Sequence, residues 1–463
     1  MRGATETAWA ALGADPVWCE RVRYEGGPGG LPARLPVMDL ARATVAVCSL
    51  AAAELATVRT GAAVPSVRVD DGAVTAAFHS ERLVRLDGHV AESFAPLSRF
   101  WRAADGWVRT HANYPHHRER LLAALSLRPD AGPAEVADAL AERRAADVEE
   151  AVYAAGGLAV AVRDAGEWAA HEQGALVAGR PLLTLERVGD AGARAAGVRG
   201  AVSPGLPCAG VRVLDLTRVL AGPVATRTLA LLGADVLRID APQLPEGQDI
   251  HNDTGLGKRS ALLDLGRAAD HRVFEELLAG ADVVVTGYRP GALDRFGLSP
   301  EALAARRPGL VVAQLSAWGR YGPWGGRRGF DSLVQAATGI ALLEGDGGEP
   351  GALPAQALDH GTGYLLAAAV LRGLTERQRD GAGRVARLSL TQTAHWLVHG
   401  PADGGTGPEG GEAYSPAPWL VERDGPVGRV RYARSPVGFA GGPVDWAGPA
   451  GRWGADTPRW VTA

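Results

Sequence analysis

Residues 211–240, VRVLDLTRVLAGPVATRTLALLGADVLRID, decide the fold class of this chain. Two short apolar runs, 211–216 and 235–240, flank a segment at 225–234 with the pattern of a helix. Short apolar runs that alternate with helices are typical of parallel strands buried on both faces. The alternation continues through the apolar run at 310–316. The sequence therefore predicts an α/β protein with a doubly wound, Rossmann-like parallel sheet, which would bind a ligand at the carboxyl ends of its strands.

The segments outside this region predict smaller units. Residues 97–190 mix helical patterns with short strands and predict a smaller α+β domain. Residues 191–209 and 400–414 are rich in Gly and Pro, so both are predicted to be linkers. The stretch VRVDDGAVTAAF at 67–78 has a turn signal between two strand-like runs and predicts a hairpin.

The composition excludes several classes of partner. The chain has 463 residues, 46% of them hydrophobic, and a net charge of −4, so neither nucleic acid nor an acidic membrane surface is expected to bind. No apolar run is long enough to span a membrane, and the first residues lack the apolar core of a signal peptide. Cys19, Cys48 and Cys208 are scattered, without a disulfide framework or metal spacing. These features predict a protein of the reducing cytoplasm.

Three common kinds of site lack support in the motifs. The turn after the first strand, DLTRVLAGP, is not the glycine-rich turn of an NAD-binding sheet, although Asp240 ends the second strand where an acid would hold a ribose. His111, His116 and His117 have no carboxylate or cysteine at a metal-binding spacing, so they are predicted to be solvated or capping residues. No Gly-x-Ser-x-Gly elbow is present.

Five stretches together carry a resemblance to a known family. They are GVRVLDLTRVLAGPVATRTLALLGADVLRID (210–240), GLGKRSALLDL (255–265), ADVVVTGYRPGALDRFGLSPEAL (281–303), QLSAWGRYGPW (314–324) and ALDHGTGYLLAAAVL (357–371). In this order they resemble the large domain of the family III CoA-transferases, which include formyl-CoA, carnitine and bile-acid CoA-transferases. The resemblance implies a large CoA-binding α/β domain at 210–399. It also implies that 97–190 is the small domain and that 415–463 is a C-terminal tail packing on the large domain.

The domain order implied by this resemblance is unusual, because the small domain of the family normally follows the large one. Residues 38–61 align without a gap with residues 358–381, and Asp39 falls on Asp359. Residues 1–96 are therefore predicted to hold a partial, degenerate copy of the catalytic-helix region, in a fused or permuted chain. Chance similarity of two alanine-rich helices is the alternative. Family members form interlocked dimers, which implies a homodimer.

The resemblance assigns a chemical role to Asp359. A lone aspartate at the start of a helix is ordinarily an N-cap. Asp359, however, matches the nucleophilic aspartate of the family, which implies transfer of CoA from an acyl-CoA to a carboxylic acid through an aspartyl-CoA thioester. CoA is then a co-substrate, and neither a permanently bound cofactor nor a metal is implied. Gly361 and Gly363 would let CoA approach the backbone.

Other positions match CoA contacts of the family. They are Val219, Leu220, Ala221, Lys258, Arg259, Tyr288 and Arg295. Lys258 and Arg259 match a basic pair that faces the phosphates of CoA, although a solvated surface pair is the alternative. Gly287 stands where the family often has Asn, which puts one polar contact in doubt. Leu220 replaces a polar residue common in formyl-CoA transferases, which argues against formyl and oxalyl substrates.

Two alternative functions stay open from the sequence. An α-methylacyl-CoA racemase of the same family would need a histidine where RGFDSLV has Phe330, and Phe cannot transfer a proton. A catalytically inactive CoA-binding or scaffold protein is the other alternative, because Asp39 lacks the trailing glycines of Asp359. A pocket around Asp359 closed by the small-domain-like segment would argue against the inactive alternative.

Overall fold

The structure is a computed structural model that describes residues 2–27, 30–90, 94–189, 203–400 and 414–461. Much of the two predicted linkers, 191–202 and 401–413, lies outside the described residues. The strands are β1 (Val22–Glu25), β2 (Val67–Asp70), β3 (Arg85–Leu86), β4 (His89–Val90), β5 (Phe100–Ala103), β6 (Gly106–Thr110), β7 (Ala159–Ala161), β8 (Leu183–Val188), β9 (Arg212–Leu216), β10 (Asp235–Asp240), β11 (Arg259–Leu262), β12 (Val283–Thr286), β13 (Val311–Ser316), β14 (Gly383–Ser389), β15 (Leu420–Gly425) and β16 (Gly428–Ala433).

The helices alternate with these strands over much of the chain. They are α1 (Arg2–Ala11), α2 (Val37–Thr60), α3 (Asp71–Phe78), α4 (Ser80–Leu83), α5 (Pro115–Ala124), α6 (Pro133–Ala141), α7 (Ala145–Ala154), α8 (Ala165–Ala170), α9 (Glu172–Ala178), α10 (Ala221–Leu231), α11 (Gln248–Thr254), α12 (Ala268–Gly280), α13 (Pro300–Arg306), α14 (Asp331–Ala337), α15 (Ile340–Leu343), α16 (Ala357–Asp380) and α17 (Leu390–His399). Short 3₁₀ helices lie at Pro16–Arg21, Asp294–Phe296 and Ala417–Trp419.

The predicted doubly wound sheet is confirmed. Its seven strands lie in the order β11-β10-β9-β12-β13-β14-β8, and every neighbouring pair is parallel except β14 with β8. The central strands β12 and β13 are almost wholly apolar and buried, as expected for a sheet covered on both faces. The order reverses between β9 and β12, which creates a crevice at the carboxyl ends of these strands.

The small-domain-like segment has a core of its own but also extends the large sheet. Strands β5, β6 and β7 form a three-stranded antiparallel sheet that shares an apolar core with helices α5, α6 and α7. Strand β8, from the same segment, instead pairs antiparallel with β14. The segment 97–190 is thus tied to the large sheet at its C-terminal end.

The N-terminal region contains a helix that is similar to α16 of the large domain. Helices α2 and α16 are both 24 residues long, and both end at a glycine in the left-handed conformation, Gly61 and Gly381. Helix α2 lies between the parallel strands β1 and β2, and α16, preceded by α14 and α15, lies between the parallel strands β13 and β14. The two helices pack against each other, and Glu54 of α2 forms ion pairs with Arg372 and Arg379 of α16. The similarity of the two sequences therefore extends to the position of each helix between two parallel strands.

The predicted hairpin at 67–78 is wrong. Strand β2 leads directly into α3, and the Asp70 carboxylate accepts a hydrogen bond of 2.8 Å from the Ala73 N–H. An aspartate favours both turns and helix N-caps, and here it caps a helix. Strand β14 likewise leads into α17, which is capped by Ser389.

The C-terminal segment contacts both halves of the chain. Strand β16 pairs with β3 of the N-terminal region. The Trp446 indole N–H donates to the Arg227 carbonyl, and the Trp453 indole N–H donates to Asp240. The segment therefore joins the N-terminal region to the large sheet.

Helix α2 is long and apolar enough to cross a membrane by length and composition alone. However, 83% of its most apolar window is buried inside the protein. Packing against α16 thus accounts for its apolar character.

Candidate active site

A cavity of about 1080 Å³ lies at the carboxyl ends of the parallel strands. Its lining includes Asp240 at the end of β10, Tyr288 after β12 and Asp359 in the first turn of α16. The small-domain-like segment contributes His116, His117 and Arg120 of α5, as well as Tyr114. The crevice expected from the topology is therefore a cavity, one wall of which comes from the small-domain-like segment.

Asp359 is a buried carboxylate at this cavity. Asp359 is 8% exposed, and its backbone N–H donates to Asp331 Oδ2 at 2.9 Å. Helix α16 begins at Ala357 after Gln356, so Asp359 lies in the first turn and not at the N-cap. Burial, followed by the charges of Asp331 and Glu81, raises the pKa of Asp359 well above its ordinary value. Two carboxylates this close do not easily ionise together.

Asp331 was not among the site residues predicted from the sequence. It is the first residue of α14, it is 1% exposed, and it accepts a hydrogen bond from the side chain of Gln335. Burial raises its pKa to about 6, although the Asp359 N–H acts in the opposite direction. The sequence feature that could have indicated Asp331 is the acid directly after Phe330 in RGFDSLV.

Val219, Leu220 and Ala221 line the cavity, and their contact with CoA stays a prediction. Val219 has a φ of 68°, a left-handed conformation that is strained for a β-branched residue. Its N–H donates to Glu246 Oε1 at 3.2 Å. A strained backbone at the end of β9 is a common feature of ligand-binding loops.

Tyr288 and Arg295 also line the cavity. Burial raises the pKa of Tyr288 to about 12, so its hydroxyl stays protonated at neutral pH. Arg295 lies over the ring of Phe296 at 4.6 Å.

Lys258 and Arg259 lie elsewhere, contrary to the expectation that this pair faces the phosphates of CoA. The Lys258 ammonium is buried and donates to Asp215 Oδ2 at 3.0 Å, Thr226 Oγ1 at 2.7 Å and the Pro223 carbonyl at 3.2 Å. Arg259 pairs with Asp235 at 2.7 Å. Neither lines the cavity, because their strand starts at the opposite end of the sheet from the crevice.

Burial has the largest effect on the pKa of Lys258. It lowers the pKa of Lys258 to about 8 against the attraction of Asp215. Burial alone would raise the pKa of Asp215, but the charge of Lys258 and further donors hold that pKa below its ordinary value. This arrangement is an internal ion pair with satisfied hydrogen bonds.

Gly361 and Gly363 serve helix packing and do not line the cavity. A Cβ on Gly363 would lie 2.6 Å from the Ala221 carbonyl and 2.9 Å from Val224. A Cβ on Gly361 would lie 3.3 Å from Leu40 of α2. These glycines therefore let α16 approach α10 and α2 closely, which differs from the predicted approach of CoA.

Asp39 occupies a different environment from Asp359. It is buried and lies 3.4 Å from the Arg42 guanidinium. Arg42 also binds both oxygens of Asp71, at 2.7 and 2.6 Å. Asp39 does not line the cavity, and its charge is compensated.

The prediction of solvated or capping histidines is wrong for His111 and His117, which are both 4% exposed. The His111 ring stacks on Phe330 with centroids 3.7 Å apart, and the His117 ring contacts the same phenylalanine edge-on. The contacts of both imidazole rings with Phe330, in the loop before α14, explain their burial. Among the described residues, no group of three or more His, Cys, Asp or Glu could hold a metal ion.

Comparisons with known proteins agree on one family. Residues 208–412 match the model described as CoA-transferase family III. A Mycobacterium tuberculosis protein named probable fatty acyl-CoA transferase is 34% identical over 206 residues, which cover 42% of this chain and 52% of that protein. The Mus musculus succinyl-CoA:glutarate CoA-transferase is 32% identical over 38% of this chain and 44% of the relative.

A crystal structure of a Mycobacterium tuberculosis protein is 36% identical, covers 41% of this chain and 55% of its own, and has a TM-score of 0.39. The chain spans about half the length of the curated relatives it matches. Residues 208–412 of the chain are therefore similar to CoA-transferase family III.

Proposed function

We propose that this protein transfers CoA from an acyl-CoA donor to a carboxylic acid, with Asp359 as the nucleophile. The supporting observation is the position of Asp359, a buried carboxylate at a cavity formed by the strand ends, inside the region that matches the family. The wall contributed by the small-domain-like segment argues against an inactive scaffold. Phe330, which stacks on His111, provides no proton-transfer group for a racemase at that position.

In the proposed reaction, an Asp359 oxygen attacks the thioester carbonyl of the donor. The carbon–sulfur bond breaks, which gives a mixed anhydride and the CoA thiolate. The thiolate then attacks the Asp359 carbonyl and releases the donor acid, leaving an aspartyl-CoA thioester. The acceptor carboxylate repeats these steps in reverse, so that Asp359 is regenerated and the acyl group remains activated throughout.

The charges of the cavity favour a phosphate-bearing ligand. Arg120, Arg289, Arg295 and Arg328 line it. Arg120 and Arg289 donate to the neutral carbonyls of Gly156 and Gly326, at 3.2 and 3.3 Å. Burial lowers the pKa of Arg328, and the charges of Arg289 and Arg120 lower it further. These guanidiniums are suited to bind the phosphates of CoA.

The test is incubation of the protein with a broad panel of acyl-CoA donors and free acids, with products read by mass spectrometry. We expect CoA esters of the acceptor acids to form. If no donor supports exchange and a 2-methylacyl-CoA is epimerised instead, the racemase alternative is correct. The predicted homodimer and cytoplasmic location stay predictions, and light scattering would measure the mass of the protein in solution.

Replacing Asp331 with asparagine should shift the acidic limb of the pH profile to lower pH. The carboxylate of Asp359 is the attacking form, so activity is lost as pH falls through its raised pKa. Removing the charge of Asp331 lowers that pKa, while the amide oxygen can still accept the Asp359 N–H. The pH dependence of kcat/KM for both proteins measures the shift. A profile that does not move would contradict the coupling of the two aspartates.

A further inference from the structure

Glu81, from the N-terminal region, contacts the residue directly after Asp359. Its Oε2 lies 3.0 Å from His360 Nε2, although the two residues are 279 positions apart in the sequence. Glu81 belongs to the short helix α4, which follows β1, α2, β2 and α3 in the chain. Burial alone would raise the pKa of Glu81, but its hydrogen bond to His360 keeps that pKa below the ordinary value. Glu81 is therefore a charged acceptor for the imidazole.

The His360 ring is held on more than one side. The residue is fully buried, and the Phe78 ring lies over it with centroids 5.2 Å apart. Phe78 also stacks on Tyr364, one turn further along α16. A carboxylate at Nε2 fixes the orientation of an imidazole, and in the neutral ring it selects the tautomer with the proton on Nε2.

The same N-terminal segment also holds the backbone that enters α16. The His79 ring nitrogen Nε2 and the Arg82 guanidinium both contact the Pro354 carbonyl, at 3.1 and 2.8 Å. Asp359 lies between this anchored carbonyl and the anchored His360 ring. Residues 78–82 thus restrain the peptide that carries Asp359 from both sides.

We propose that Glu81 is a positioning residue for the reaction at Asp359, acting through His360. This inference rests on the proposed function of Asp359. It gives the N-terminal region a direct part in the active site, where its own aspartate, Asp39, has none. The titratable groups that face Asp359 are Asp331 of α14 and Glu81 of α4, and those around Glu81 are His79, Arg82 and His360.

Two variants of Glu81 separate the effect of its charge from the effect of its hydrogen bond to His360. Glu81→Gln keeps an acceptor oxygen for His360 but removes the charge that raises the pKa of Asp359, so the acidic limb of kcat/KM should move to lower pH. Glu81→Ala removes the acceptor as well, so kcat should fall by about a hundredfold with little change in KM. Misplacing a reacting group by about 1 Å lowers the reaction rate by a factor of this order. Steady-state kinetics across the pH range measure both effects.

Glu54→Gln is the matched control. Glu54 also belongs to the N-terminal region and also pairs with α16, through the buried Arg372, thirteen residues from Asp359 along that helix. Loss of this pair should lower stability without moving the pH profile. If Glu54→Gln shifts the profile as Glu81→Gln does, the effect is general and the assignment of Glu81 is overturned.

A measurement that needs no enzymatic activity tests the role of Glu81 separately from the proposed function. The titration of the Asp359 carboxyl can be followed by ¹³C NMR with labelled aspartate, and the signal is assigned by its absence in Asp359→Ala. We expect it to move to lower pH in Glu81→Gln, even if no donor and acceptor pair is active. The proposal would be overturned by an Asp359 titration that is identical in the wild type and Glu81→Gln. A kcat of folded Glu81→Ala equal to that of the wild type would also overturn it. Absence of exchange in the wild type alone would count only against the proposed function.

Discussion

Asp359→Ala should abolish CoA exchange, with a loss of rate on the order of 10⁴ or more, because the nucleophile carries both covalent intermediates. The other carboxylates of the described cavity lining are not on α16, since Asp240 ends β10 and Asp264 follows β11. The rate of appearance of acceptor-CoA measures the loss. Asparagine is a poorer choice for this test, because its deamidation would regenerate aspartate.

Asp39→Ala is the matched control, at the corresponding position of the repeat. Asp39 is compensated by Arg42 and does not line the cavity, so exchange should stay close to the wild-type rate. The stability loss should be about 1.5–3 kcal/mol, as for a hydrogen bond to a charged group. Trapping with hydroxylamine or borohydride after incubation with acyl-CoA, followed by peptide mapping, locates the adduct. Label on Asp39 instead of Asp359 would reverse the assignment of the two halves.

Lys258→Met should lower the free energy of unfolding by about 3–5 kcal/mol, because removal of one partner leaves a buried charge uncompensated. The side chains of Lys258 and Asp215 are both fully buried, and Thr226 completes the network. Urea unfolding measures the loss. The affinity of the folded variant for CoA should be unchanged, because Lys258 does not line the cavity.

The double variant Asp215→Asn/Lys258→Met tests the electrostatic origin of this loss. Asparagine retains an acceptor for the Thr217 N–H and removes the uncompensated charge, so the double variant should be more stable than Lys258→Met alone. The alternative from the sequence, a contact between Lys258 and the phosphates of CoA, predicts a different result. In that case Lys258→Met would remain as stable as the wild type and bind CoA more weakly, with an effect that decreases as salt rises.

The sequence was sufficient to predict the parallel sheet and the crevice at the ends of its strands. Strands β9, β10 and β13 fall within the runs expected from their apolar pattern, because this pattern is a local property of a strand buried on both faces. The crevice at the strand ends follows from the topology. The cavity lining includes Asp359 at this position, together with the loop 219–221.

The tertiary structure decided which polar groups meet. Asp70 could begin a turn or cap a helix, and only the packing of α3 selects the cap. Lys258 was predicted to face a ligand, but its partner Asp215 lies 43 positions away on another strand, and the side of the sheet that they share is not encoded in either local segment. Glu81 and His360 meet across 279 positions because the N-terminal unit packs on α16. Local patterns thus determine the elements, whereas the pairing of buried charges depends on long-range packing, since a charge is retained in the interior only where a distant partner compensates it.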